Sequence, residues 1–290
     1  AGGAAADNVP VPCYSTMEGR RLAGPGSMLD DMVRKHFANA PAQELWILPV
    51  PATGTAAVWT ISVDSVLSGG GQGVVEIAGR SVSVTYAAGD AATAVATALA
   101  ASVNAFYDAL TEASLPVTAA VGGEGHEDEV VLTARHAGMA GNEIDVYVPV
   151  LAGGNAFTGK MTVTATTAGS GSPDLSTGLA ALGDDPFDLI VSAFSDDTNV
   201  ARYKALLNDV SGRWAWNRQI YGHVFYPKTA TSGDMTTHGL AQDDRHISVI
   251  PRPASASVPE PGWEWVAAAA ARIVPWLSDG ATGNVSRNHT

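Results

Sequence analysis

The sequence predicts an α/β protein: a mostly parallel sheet flanked by helices, with an inserted β-rich α+β domain. Three observations carry that expectation. Strand-like and helix-like segments alternate through the C-terminal half, as in a parallel sheet covered on both faces. Two apolar strand patterns, 44–50 and 188–194, are separated by far more chain than the dozen or so residues a parallel crossover needs. Within that gap the composition shifts to Thr, Val, Ala and Gly in alternating patterns. The expected division is a discontinuous α/β domain over 1–51 and 172–290, and an inserted β-rich domain with one helix over 52–171.

Each element follows from its local pattern. Ser27–Ala40 reads as a helix, with Met28, Leu29, Met32, Val33 and Phe37 on one face. Ser27 followed by Asp30 has the form of a capping box, with Asp in place of Glu. Glu44–Val50 is a buried-strand pattern, expected in the same sheet as Asp188–Phe194. In the insertion, Val58–Val66 reads as a strand, and Val74–Ala78 with Ser81–Tyr86 as a hairpin across Gly79-Arg80. Asp90–Thr111 is an Ala-rich helix with Asp90 as its expected cap. Val117–Val121, Glu129–Ala134, Ile144–Pro149 and Met161–Thr166 are further strands, and Gly169–Pro173 marks the return to the first domain. Asn199–Trp214 is a helix and Gln219–Tyr226 a strand stopped by Pro227. Met235–Gln242 is a short helix and His246–Ile250 a strand. Glu260–Leu277 is a helix that Pro275 should bend or end.

Composition excludes several functions. A chain of 290 residues is long enough for about two domains and a sizeable core. Charged residues make up 16%, against about 25% in average soluble domains, which leaves surface for partners. The net charge of −13 and the lack of a basic cluster argue against nucleic acid, whose phosphates need Lys and Arg. Cys13 is the single cysteine, so neither an intrachain disulfide nor a Cys-based zinc site is available. No apolar run approaches the ~18–20 residues of a membrane span, so no membrane insertion is expected. The start lacks both a signal-peptide pattern and an initiator Met, and reads as the interior of a longer chain.

Catalytic patterns are weak. Gly26-Ser27-Met28 has the look of a serine nucleophile turn, with Thr237-His238-Gly239 as its histidine. Ser27 precedes His238, however, whereas subtilisins run Asp, His, Ser, so Ser27 is read as a helix cap. The glycines at 69–71 and 73 lie between strands and open no helix, which fails the dinucleotide context. His126-Glu127-Asp128-Glu129 alternates direction on an extended segment and reads as a solvated loop. Asp184-Asp185 and Asp196-Asp197 flank the 188–194 strand, and the second pair suits a helix N-terminus. His36, His223 and His246 have no spaced partner. Trp214, Trp216, Trp263, Trp265 and Trp276 cluster late in the chain, as core or as interface anchors. The reading therefore assigns no catalytic, cofactor-binding or metal residues, and no cofactor.

Two segments carry a resemblance. Gly24-Pro25-Gly26-Ser27-Met28-Leu29, running through Ala40 into Glu44-Leu45-Trp46-Ile47-Leu48-Pro49, resembles the tail sheath proteins of Mu-like contractile-tailed bacteriophages and prophages. Thr133 to Ile144, with Gly138-Met139-Ala140-Gly141-Asn142 at its centre, is similar to a basic-x-x-Gly-x-x-Gly-Asn segment found in phage sheath proteins. The resemblance implies a parallel sheet of subtilisin-like or Rossmann-like type. It also implies a structural, non-enzymatic subunit that polymerises around a tail tube and contracts to drive it through the host envelope. The implied partners are other sheath subunits, the tail tube protein, the baseplate and the tail terminator. The implied location is the virion, after assembly in the host cytoplasm. Sheath chains are longer at both ends, with arms that exchange strands, so this chain is expected to be a central, monomeric fragment. The competing readings are an α/β hydrolase-like or nucleotide-binding enzyme, and a surface-binding module carried by the insertion.

Overall fold

The computed structural model describes residues 2–64, 69–254 and 258–278, with side chains as far as 275. The end of the strand expected over 58–66, the side chain of Trp276 and the last residues of the 172–290 domain lie outside the described residues. The described residues fall into two compact units, one within 1–51, 172–258 and 262–290, the other within 52–171 and 259–261.

The first unit opens with β1 (Val11–Cys13), α1 (Thr16–Ala23), α2 (Met28–Asn39) and β2 (Leu45–Ile47). Ser15 caps α1 by accepting from the Glu18 N–H, while the Glu18 carboxylate accepts from the Tyr14 N–H at 2.9 Å. Cys13, Leu22, Val33 and Ile47 bury one another in a small core. β1 and β2 are antiparallel, with Val11 opposite Ile47. This corrects the expectation that 44–50 would join the sheet of 188–194. Pro49 has no N–H to extend a ladder, and its carbonyl accepts from the Asn8 N–H at 2.7 Å. Only the side chains of Leu48 and Val50 reach the core around the parallel strands.

The second unit, among the described residues, pairs its strands antiparallel. It contains β3 (Ala56–Val63), β4 (Gly71–Ile77), β5 (Arg80–Tyr86), α3 (Ala92–Ala105), β6 (Tyr107–Asp108), β7 (Ala113–Ser114), β8 (Val117–Val121), β9 (Glu129–Ala137), β10 (Val146–Tyr147) and β11 (Met161–Thr167). One sheet runs β11-β3-β9-β8 and a second β10-β4-β5, while β6 and β7 pair separately. Alternation puts Ala57, Trp59, Ile61 and Val63 on the buried face of β3. Val95, Leu99 and Val103 bury the inner face of α3, which packs on β5, β8 and β9. The hairpin turn is Ala78-Gly79, one residue earlier than expected, with φ of 51° and 72° as a type I′ turn requires. The helix is shorter than the 90–111 expected. Asp90 does not cap it: Asp90 accepts from the Ala87 N–H at 2.7 Å, and the cap position falls on Ala91, which makes no side-chain bond. Beyond Ala105, the Asp108 carboxylate accepts from the Leu110 N–H and the Thr111 hydroxyl and turns the chain.

The chain then returns to the first unit through α4 (Ser176–Ala181), β12 (Leu189–Val191), α5 (Asp197–Leu207), β13 (His223–Ala230), α6 (Ser232–Gln242), β14 (Ile247–Pro253) and α7 (Gly262–Ser278). β12, β13 and β14 form a parallel sheet of three strands. The expected mostly parallel Rossmann-like or subtilisin-like sheet is therefore overturned: among the described residues, parallel pairing is confined to these strands and the other sheets are antiparallel. The candidate fourth parallel strand is taken by β1, and the alternating strands of the second unit pair among themselves. One face of the parallel sheet places Phe225 against Val266 and Ala270 of α7. The other buries Val224, Tyr226 and Ile247 with Leu179, Val200, Tyr203 and Leu207. Pro227 lies within β13 and does not stop it. Val224 donates toward β14, so by alternation position 227 faces the β12 side, where pairing has already ended at Val191–Phe225. Pro275 likewise sits inside α7, which runs on to Ser278.

Candidate functional site

Ser27 is buried at the start of α2, and its Oγ accepts from the Asp30 N–H at 3.1 Å. The Asp30 carboxylate in turn accepts from the Gly26 N–H at 2.8 Å. The hydroxyl is thus occupied as a helix cap, as the spacing predicts, while the return bond goes to Gly26 because the Ser27 N–H donates to the Gly24 carbonyl. His238 lies on α6 with Nε2 3.0 Å from the Tyr226 hydroxyl. Burial, then nearby Lys228, holds the His238 pKa below its ordinary value, while burial pushes the Tyr226 hydroxyl up to about 12. Ser27 and His238 each have a structural partner and form no pair with one another.

The carboxylate runs disperse in the same way. His126 Nδ1 meets Glu129 at 3.2 Å, while the Asp128 carbonyl accepts from Val63. Asp184 pairs with Arg218, and the Asp185 carbonyl accepts from the buried Arg213. Asp196 caps α5, accepting from the backbone and side chain of Asn199 at 3.1 and 2.8 Å. Among the described residues, no group of three or more His, Cys, Asp or Glu is placed to hold a metal ion, and no helix is long and apolar enough to cross a membrane.

A cleft of about 710 Å³ is lined by Asp209, Tyr226, Gln242, Asp244, Arg245 and His246, among others. Asp209 accepts from Arg245 at 2.6 Å and faces His246 Nε2 at 3.1 Å; the Arg245 hydrogen bond holds its carboxyl below the usual range. Trp214 packs on His246 with ring centroids 4.5 Å apart and donates to the Gly222 carbonyl at 2.9 Å. The cleft opens where β14 begins, whereas ligands of open α/β sheets sit beyond the strands' C-terminal ends. Its groups tie the long 208–222 connection to the sheet. On that connection Val210 and Trp216 stand 83% and 82% exposed, so Trp216 is a surface residue while Trp263 fills the core. His223 faces the Ser248 hydroxyl at 2.9 Å, and burial followed by nearby His246 keeps its pKa low.

The Thr133–Ile144 segment has a definite structural task. Gly138, at φ 112°, donates to the Thr55 carbonyl at 3.0 Å, and Met139 donates to the Gly171 carbonyl at 2.8 Å. Asn142 accepts from the Gly169 N–H at 2.7 Å and donates to the Gly169 carbonyl at 2.9 Å, mimicking a strand partner. Thr55 and Ser170 form an antiparallel bridge beside it. The entry and exit strands of the second unit are therefore clamped at one point by Gly138 and Asn142. A Cβ at Gly169 would lie 2.4 Å from the Gly138 carbonyl oxygen, so only glycine fits there. The sequence singled out this segment but not its role, because Thr55 and Gly169 are remote in the chain.

The two units together match part of a known protein. Over 277 residues the chain is 29% identical to the tail sheath protein of the Mu-like prophage FluMu of Haemophilus influenzae. The chain is a relative of a phage tail sheath protein. The match covers 94% of this chain and 53% of the sheath relative, so the chain spans about half of that relative's length. Both the capped Ser27 turn and the Asn142 clamp lie in a chain matched almost end to end to the sheath relative. No family model matches the chain.

Proposed function

We propose that this chain is part of a structural tail sheath subunit that polymerises around a tail tube and contracts to drive the tube through a host envelope. One observation carries the reading: similarity to a sheath protein extends over 94% of the chain, so it includes both units. Head-to-tail contacts that do not close into a ring build such a helical array, and contraction draws on the free-energy difference between two packings. The partners are other sheath subunits, the tail tube, the baseplate and the tail terminator, and the site of action is the virion. We assign no catalytic, metal or cofactor role, because Ser27, His238, Asp196 and Asp209 are each occupied by a structural partner. We also propose that residues 52–171 are an inserted domain, closed at its base by the Asn142 clamp.

Negative-stain electron microscopy of the full-length gene product tests the reading. Helical tubes support it. A full-length protein that stays dispersed in every condition that folds it contradicts it, as does hydrolytic turnover abolished by Ser27→Ala in a folded chain.

A further inference from the structure

The second unit guards its strand edges unequally. At the outer side of β8, the Asn104 side chain accepts from the Ala119 N–H at 2.9 Å and donates to the Ala119 carbonyl at 2.7 Å. Beside the short β10, Asn155 does the same for Val74 of β4, at 3.0 and 2.9 Å. These amides fill backbone positions that an added strand would use. β5 opens with Arg80, a buried, inward-pointing charge. β11 has no such amide: Lys160 stands just before it, its pairing with β3 shifts register only between Ala165 and Thr167, and Met161 to Ala165 form a regular open run. From Met161 to Pro173 no side chain is charged, and β11 itself contains no proline. Uncharged, β-branched edges of this length are those that natural proteins normally blunt.

The direction of the open groups follows from the register. Asp64 donates to the Lys160 carbonyl at 2.9 Å, so residues 160, 162 and 164 face β3. Met161, Val163 and Ala165 therefore aim their N–H and C=O groups outward, and β11 stands at the end of its sheet. The inner face is also unfinished there: Val163 is only half-buried and Ala165 is exposed, although their partners Ile61 and Trp59 are buried.

We propose that β11 is a self-pairing edge, which adds antiparallel to β11 of a second copy of this chain. Centring the pair on Val163 sets Met161 against the other copy's Ala165, and Thr162 against its Thr164. Every outward group then meets another, giving about six N–H···O bonds. Threonines face threonines across the pair, a favourable cross-strand combination. Lys160 falls beyond the last regular pair, where β11 shifts register between Ala165 and Thr167 and carries no charge, so no like charges meet even though each copy carries −13. An edge this short buries far less than the ~1,200–2,000 Å² of a stable interface, so the pairing is weak in solution. It stands on the edge's own geometry and holds whether or not the protein assembles around a tail tube.

The test is sedimentation equilibrium of the 290-residue chain from about 10 µM to about 1 mM, with amide exchange read by NMR at both ends of the range. Dimer should appear only toward the upper end. There, exchange at Met161, Val163 and Ala165 should slow at least about threefold, with Ser81, Ser83 and Thr85 of β5 unchanged. Ala165→Pro removes one outward donor without touching the bonds to β3, and should abolish the dimer. Thr164→Lys places a charge on an exposed position, keeps the fold, and should weaken association at least about fivefold. Three results overturn the proposal: no concentration dependence up to 1 mM, a dimer of unchanged strength in both variants, or protection at β5 in place of β11. Protection of these amides only inside a polymer of the full-length protein would also overturn it, assigning the edge to a different segment.

Discussion

In the first unit, distant segments are joined by buried charge. Arg34 of α2 reaches Glu264 of α7 at 2.8 Å across 230 residues of sequence, Lys35 reaches the same carboxylate at 3.2 Å, and Asp31 meets Arg34 at 3.3 Å. In the second unit, neutral amides do the comparable work: Asn104, Asn142 and Asn155 each bond both the N–H and the C=O of one remote residue. The difference has consequences. A buried ion pair is held in place by the desolvation each partner would suffer alone, so it depends strongly on both members. An amide bridge gives a smaller, pH-independent stabilisation of one geometry. The first unit should therefore be brittle toward loss of one charge, and the second toward loss of fit.

Glu264→Ala should have the largest effect. It removes the carboxylate shared by Arg34 and Lys35 and should destabilise the first unit by about 3–5 kcal/mol. Urea unfolding followed by residue-specific hydrogen exchange separates the two units, which need not melt together. Equal loss of protection in β3 and β9 would break the distinction between them.

Acid should act on the second unit next. Burial holds the His136 pKa down at about 4, against about 6.5 in an unfolded chain. Above pH 6.5 the ring is neutral in both states and the full stability is present. As pH falls from 6.5 to 4, only the unfolded state takes up the proton, and roughly 3 kcal/mol is lost. His136→Leu should flatten the pH dependence of the second unit's stability over that window. An unchanged slope would show that other groups set it.

Asn142→Ala should destabilise the second unit by about 2 kcal/mol, since both Gly169 groups lose their partner. The expected signature is faster exchange of Gly169 and Met139, with α2 and α7 unaffected. The smallest effect, about 1 kcal/mol, belongs to Ser27→Ala at the α2 cap, measured as a shift in urea midpoint with no change in secondary structure.

What could be read in the sequence was local. The Ser27–Asp30 cap is such a short-range pattern and forms as expected, and of the Asp196-Asp197 pair expected at a helix N-terminus, Asp196 is the residue that caps α5. The β4–β5 hairpin follows from alternation around Gly79. α1 has its own signature in Ser15-Thr16-Met17-Glu18, but its weak apolar face hid it. The parallel sheet was overestimated because pairing partners are not local: β1 is three residues long with Pro12 at its centre, too short to betray that it would capture β2. The amide clamps were invisible for the same reason, since Asn142 meets Gly169 and Asn155 meets Val74 only once the unit is folded. Candidate chemistry dissolved likewise: the Ser27 and His238 patterns were visible, while the partners that occupy them belong to the fold.

The central claim, that this chain is an assembly part, is tested most directly by sedimenting it beside the full-length gene product at equal micromolar concentration. The account predicts that the full-length protein pellets as high-order polymer while the 290-residue chain sediments as a monomer. A full-length protein that never polymerises, in conditions where it is folded, would contradict it.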